Sequence, residues 1–475
     1  MRRSDADVVD GDTGHRTGLV SWLRANRVGL TCAAVFAVLY AAIALFRYTH
    51  FVWSSWDLGI FTQVVEHYAR LQAPSIPIKG SDVNALGDHF SPALAVVAVP
   101  YSIVSSPVTL LVTQALLLAW STFPVHRLAS RRLGFWPGLA VTVAYAVSFG
   151  VVQAVLVDFH EVALAVPLVA YAVEGLAEHR WRQVLVASVP LVLVKEDLGL
   201  TVAAIGLVCA LRGARRLGIL LGAFGLVASA VEVLWLVPAL STTGGYAYFA
   251  QFGSSGSGAG SGGIGSIFAV EKLGTLLKYT WVTAGLCWLS TLSLVALPTL
   301  AWRFVSSNVS YWGTDWHYDL ILMPVVFGAA IEAVERLARS ERPAARWYAR
   351  AVPLALAGIA VTLFATSSAA DLARPSAWAE TPRQRALASA LAAIPPGAVV
   401  QSDLGLLSHL VGRNTVYWVG HGNDPPPGYI VVDAGAGWTP PPLDSLPDYF
   451  AELHPGHTWQ VVSAVDGVVV LQQVT

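Results

Sequence analysis

The sequence predicts an all-α polytopic membrane bundle of about eleven spans, followed by a small α/β domain. Three observations predict it. Of 475 residues, 55% are hydrophobic and only 12% charged, with a mean hydropathy of +0.58, a balance that calls for lipid around the chain. Apolar runs bounded by charge recur from residue 28 to residue 368. From residue 376 that pattern stops, and short strand-like and helical runs alternate instead.

Spans were oriented by where Arg and Lys collect, because cytoplasmic loops carry the positive excess. Arg16, Arg24 and Arg27 hold a polar tail, 1–27, inside; span 28–46 then delivers loop 47–92 to the outside. The stretch ends at Phe46-Arg47 without a small-residue cleavage pattern, so it reads as a retained span rather than a removed signal peptide. Span 93–119 returns to His126, Arg127, Arg131 and Arg132; span 138–156 leads out to Asp158, and span 161–177 comes back to Arg180 and Arg182. Residues 183–211 lie between two inside markers, Arg182 and the Arg212-Arg215-Arg216 cluster, so they must make two short spans with Lys195-Glu196-Asp197 at an external hairpin. Span 217–238 leads to an external loop, 239–272. The same parity splits 273–304 into two short spans, then 319–335 reaches Arg336, Arg339, Arg342, Arg346 and Arg350, and 351–368 places the tail outside. The paired short spans fall below the usual 17–25 residues per crossing.

In loop 47–92, Leu58, Phe61, Val64, Val65 and Tyr68 follow Asp57 at helical spacing, which predicts an amphipathic helix lying in the interface. Segment 253–266 is a Gly/Ser linker by composition, flanked by Tyr246, Tyr248, Phe249 and Phe252 expected at headgroup level. It could serve as a lid over a lipid substrate. Within 376–475 the pattern predicts helices near 382–393 and 445–453, strands at 397–401, 415–419 and 429–433, and a hairpin at Asp466-Gly467.

A net charge of −1 without charge blocks gives no indication of a nucleic-acid partner. Cys32, Cys209 and Cys287 lie apart in apolar runs and suggest neither disulfides nor a zinc site. A divalent metal remains open, because acids and histidines are present but show no ligand spacing.

The topology's main consequence concerns the ionisable residues. Asp57, Asp88-His89, Asp158-His160-Glu161, Lys195-Glu196-Asp197 and His317-Tyr318-Asp319 all fall at external span ends. Such groups at a membrane are costly unless they pair or line a wet cavity, and their default reading is functional. Plainer roles stand beside that one: helix capping for Asp57 and Asp158, a turn for His89, a neutralised hairpin tip for Lys195 to Asp197, and interfacial anchoring for His317 and Tyr318. As a set, they suit chemistry on a lipid phosphate. A carboxylate acts as general base toward an acceptor hydroxyl, and cations stabilise the departing phosphate.

The strings Trp56-Asp57-Leu58-Gly59-Ile60-Phe61 with Gln63, Gly87-Asp88-His89-Phe90-Ser91-Pro92, Asp158-Phe159-His160, Lys195-Glu196-Asp197, and His317-Tyr318 ahead of Pro324 occur in order. Together they resemble the bacterial membrane family known as domain of unknown function 2079. Ile394-Pro395, Gly412-Arg413 and Tyr429-Ile430-Val431-Val432-Asp433 in the tail resemble it too. The resemblance implies a GT-C glycosyltransferase fold in a bacterial plasma membrane, a polyprenyl-phosphate-linked sugar donor and an outer-face reaction on an envelope acceptor of unknown identity. It also implies a catalytic role for Asp57, with Asp88 as the second acidic residue of the loop. The adjacent acidic pair of many relatives is missing here. On this expectation Asp57, Asp88 and His89 are catalytic, while Asp158, His160, Lys195, Glu196, Asp197, His317 and Tyr318 bind substrate. The competing readings are a transporter and a non-catalytic envelope scaffold.

Overall fold

A computed structural model describes residues 11–52, 57–251, 269–436 and 441–474. Segment 253–266 and Phe252 lie outside the described residues, as does Trp56. Among the described residues, five helices are each long and apolar enough to cross a membrane: Val20–Thr49, Pro107–Leu133, Phe135–Val157, Arg215–Leu240 and Pro343–Thr366. Shorter apolar helices stand beside them, among them Trp181–Leu193, Leu198–Leu211 and Thr291–Val305.

Two of the expected elements differ in the structure in ways that matter for the site. The polar tail and the first span are not separate, since one helix runs Gly11–Thr49. The expected span 93–119 is broken at Ser106-Pro107. The Ser106 side chain accepts the Val108 N–H and Pro107 occupies the first turn, which together start a new helix, Pro107–Leu133, that ends at Gly134 with φ +87°. The short helices flanking Lys195 are Trp181–Ser188 and Leu198–Leu211, and the second packs on the helix Arg215–Val231 through glycine contacts. A Cβ on Gly199 would stand 2.5 Å from the Gly225 carbonyl oxygen, so only glycine permits this approach.

Loop 47–92 folds as the helix Asp57–Ala69 and a compact return. Leu58 through Val65 are all buried. The expected interfacial helix is therefore corrected: it is covered on every side in its first turns, by the bundle and by the C-terminal domain. The return closes by a bond from Ile76 N–H to the Val83 carbonyl (2.8 Å), with Gly80 at φ +136° in its turn. Asn84 then caps a short turn through the Leu86 N–H at 2.9 Å, and this turn delivers Asp88 and His89.

Among its described residues the C-terminal domain holds five strands: β1 (Val399–Ser402), β2 (Thr415–Trp418), β3 (Tyr429–Asp433), β4 (Trp459–Val465) and β5 (Val468–Gln473). Their order is β2-β1-β3-β5-β4; β1 is parallel to both β2 and β3, whereas β5 is antiparallel to β3 and β4. Helices Pro382–Ala393 and Leu446–Leu453 pack on the sheet, the first opened by a capping box between Thr381 and Gln384.

Candidate active site

Asp57 opens the helix Asp57–Ala69, and its carboxylate Oδ2 lies 3.2 Å from His160 Nε2. Asp158, expected to touch substrate, sits behind that pair and does not line the cavity described below. It holds φ +128°, accepts its own neighbour's N–H at Phe159 (3.0 Å), and accepts the Leu58 N–H at 3.0 Å. It thus caps a helix a hundred residues upstream, where an unpaired N–H would otherwise be buried. Gln114, buried in Pro107–Leu133, fixes the same turn: its amide donates to the Asp158 carbonyl (2.5 Å) and accepts the His160 N–H (3.0 Å).

The His160 ring stacks on His317, centroids 3.5 Å apart and planes at 27°. His317 arrives on a loop pinned by Arg303, whose side chain is wholly buried. Arg303 Nη1 is 2.7 Å from Asp319, and its remaining donors bind the carbonyls of Tyr311 (2.8 Å) and Gly313 (2.7 Å). Tyr311 and Tyr318 meet edge to face at 4.7 Å on this loop.

A second group faces the first. His89 Nδ1 lies 2.7 Å from Glu196, whose other oxygen accepts the Phe90 N–H at 3.0 Å. Tyr246 donates to Glu196 (2.9 Å), Tyr248 stacks on His89 (4.4 Å) and donates to Asp88 (3.4 Å), and Lys79 Nζ is 2.6 Å from Asp88. Lys195 pairs with Glu161 at 2.7 Å. The hairpin is held in place by Ser229, which donates to the Glu196 carbonyl at 2.6 Å.

These groups enclose one cavity of about 500 Å³. Of the ten residues given catalytic or binding roles from the sequence, nine line it: Asp57, Asp88, His89, His160, Lys195, Glu196, Asp197, His317 and Tyr318. Lys79, Glu161, Tyr246, Tyr248, Tyr311 and Trp302 also line it. Of these, Lys79 carried a faint signal as one of the few cations of loop 47–92. Tyr246 and Tyr248, expected at headgroup level, fold inward because Glu196 and Asp88 accept their hydroxyls. Among the described residues, no group of three or more His, Cys, Asp or Glu converges in a way that could hold a metal ion.

Burial and partners set the charge states. Burial opposes ionisation of Glu196, but His89 outweighs it and brings the carboxyl down to about 2. Asp88 is likewise held below the usual carboxylate range, by His89 and Lys79 against the cost of burial. Burial pulls His89 and His160 down, yet Glu196 and Asp57 respectively raise both above the ordinary imidazole value. Burial together with the adjacent His160 pushes His317, which has no carboxylate partner among the described residues, well below that value. Burial raises Asp197 to about 6 and Asp158 to about 7. The stacked pair therefore joins a ring shifted toward its charged form to one held toward its neutral form, beside the Asp57 carboxylate.

The fold has solved counterparts. The crystal structure of ArnT from Cupriavidus metallidurans bound to undecaprenyl phosphate matches with a TM-score of 0.55 at 14% identity, covering 91% of this chain and 97% of that one. Its apo structure matches with a TM-score of 0.53 at 15% identity, covering 92% and 98%. No curated protein matches the chain. The family model described as predicted membrane protein (DUF2079) matches residues 47–470, a span that includes every cavity-lining residue named above, and the chain belongs to that family.

Proposed function

We propose that the protein is a membrane glycosyltransferase that moves a sugar from a polyprenyl-phosphate donor to an envelope acceptor. The observation that carries this reading is the cavity in which Asp57, oriented by His160, faces the Lys79–Asp88 and His89–Glu196 pairs. The shared fold with a protein solved bound to undecaprenyl phosphate supports it. In the proposed reaction the acceptor hydroxyl oxygen forms a bond to the anomeric carbon, and its proton passes to Asp57. The bond from that carbon to the phosphate oxygen breaks, and the electron pair leaves with the polyprenyl phosphate. Lys79 and Lys195 each spend one N–H on a carboxylate in the structure, and an ammonium has three. Their remaining donors are available to the growing phosphate charge, and His317 lies on the same wall.

By the positive-inside rule, the arginine-rich end of the bundle is cytoplasmic, so the cavity and the C-terminal domain face outward. Asp57→Asn tests the reading. Transfer should fall by about a hundredfold or more, the range for a lost general base, with melting temperature near wild type. Undiminished transfer would remove Asp57 from the reaction.

A further inference from the structure

The helix Asp57–Ala69 has two working faces. Asp57, Ile60, Phe61 and Val64 line the cavity, and the helical repeat puts Gly59 and Gln63 on the opposite side. That side meets the C-terminal domain. A Cβ on Gly59 would overlap Leu407 Cδ2 and stand 3.0 Å from Ile78 Cδ1, so the two parts touch there with no side chain between them. One turn on, Gln63 is 4% exposed and uses both ends of its amide. Nε2 donates to the Val416 carbonyl of β2 at 2.9 Å, and Oε1 accepts the Ile78 N–H at 3.1 Å. Ile78 directly precedes Lys79 of the cavity wall. Three residues after Ile78, the Ser81 N–H donates to Asp424 at 3.2 Å. Upstream of Asp57, His409 stacks on Tyr48 (4.2 Å) and Phe51 (4.4 Å), and its Nε2 is 2.9 Å from the Tyr48 carbonyl. Residues 407–424 therefore grip the chain before Asp57, behind it, and on either side of Lys79.

We infer that Gln63 is a positioning residue through which the C-terminal domain sets the placement of Asp57 and Lys79 in the cavity wall. The domain is thus a structural part of the cavity. A buried amide with both hydrogen bonds made is a directional tie, whereas the surrounding apolar contacts fix distance but not register. The effect on turnover rests on the transferase reading; the placement itself does not.

The test is hydrogen exchange on full-length protein in nanodiscs, comparing wild type with Gln63→Leu, which removes both bonds at similar volume. Exchange across 76–84 should rise about tenfold, as expected for two lost hydrogen bonds, while the sheet and the long helices keep wild-type rates. Unchanged exchange at 76–84, or equal acceleration along the whole chain, would overturn the inference. If Gln63→Leu does not fold, Gln63→Met, which also removes both bonds, replaces it and is read the same way: faster exchange confined to 76–84 supports the inference, and no change overturns it. In a transfer assay, Gln63→Leu should lower kcat about fivefold and raise the donor KM about fivefold as well, whereas loss of folded protein would lower apparent kcat and leave KM unchanged. Should wild type transfer no sugar, the transferase reading fails while the exchange result still decides the role of Gln63.

Discussion

The bundle buries charge at both ends and handles it differently. At one end, Glu174, wholly buried, takes Arg127, Arg131 (3.2 Å) and Arg180 (3.8 Å). Arg132 spreads across Glu178 (2.7 Å), Glu335 (2.7 Å) and the Ala177 carbonyl (2.5 Å), and Arg212 forks onto Glu332 at 2.6 and 2.7 Å. At the cavity end no described arginine lines the wall, the Arg303–Asp319 pair lying behind it, and Asp57, Asp88, Glu161 and Glu196 each meet lysine or histidine through a single bond. Planar guanidinium forks spend their donors on fixed geometry. Lysine and histidine keep donors in reserve, and histidine also changes charge near neutral pH. The first arrangement locks helices together, while the second leaves chemistry available around open space.

Changes at each end should separate these roles. The largest effect expected is on stability at the arginine end. Glu174→Gln leaves three guanidinium groups facing one another, at a cost of about 3 kcal/mol, seen as a clear drop in melting temperature; transfer per folded molecule should stay within about twofold. Wild-type stability combined with lost transfer would instead put chemistry at that end. At the cavity end, His89→Gln keeps a donor for Glu196 but loses the charge and the Tyr248 stack, and should lower transfer about tenfold with little change in melting temperature.

The smallest effect is on pH dependence, where the two ends should part. His89 is raised in the folded protein, so its contribution is fully present below the ordinary imidazole value of 6.5 and is lost as pH climbs through the raised one. Glu196 is depressed, so its contribution is present above the ordinary 4.5 and fades as pH falls toward about 2. Protection at residues 246–251, with the intrinsic base catalysis of exchange divided out, should therefore fall on the alkaline side. Contacts among the arginine forks should hold there, because guanidinium does not titrate in that range. Equal loosening at both ends would contradict the distinction.

Much of the site was legible because an apolar chain makes its ionisable residues conspicuous, and parity placed their segments together. Lys195-Glu196-Asp197 is the clearest instance: flanking arginines forced a turn there, and the turn lines the cavity. Gln63 stood out only as part of a family string and Gln114 not at all, because the role of a neutral amide inside a helical run is not legible until its partners are known. Asp158 misled through locality. Its position suggested a cap on the next helix or a substrate contact, yet its carboxylate closes a helix a hundred residues away. Tyr246 and Tyr248 followed the rule for interfacial aromatics, which takes no account of buried acceptors such as Glu196. In the C-terminal domain, strand positions followed from alternation and turn residues. The central placement of β1 between β2 and β3 depends on crossovers that no local pattern encodes.

The central claim is that the cavity beside Asp57 receives a polyprenyl phosphate. An experimental structure of the full-length protein in lipid nanodiscs with undecaprenyl phosphate tests it most directly. The phosphate should lie in the cavity between Asp57 and the Lys79 and Lys195 ammonium groups, within about one water-bridged contact of a cation. A phosphate bound at the arginine end, or on the lipid-facing surface with the cavity unchanged, would contradict the account.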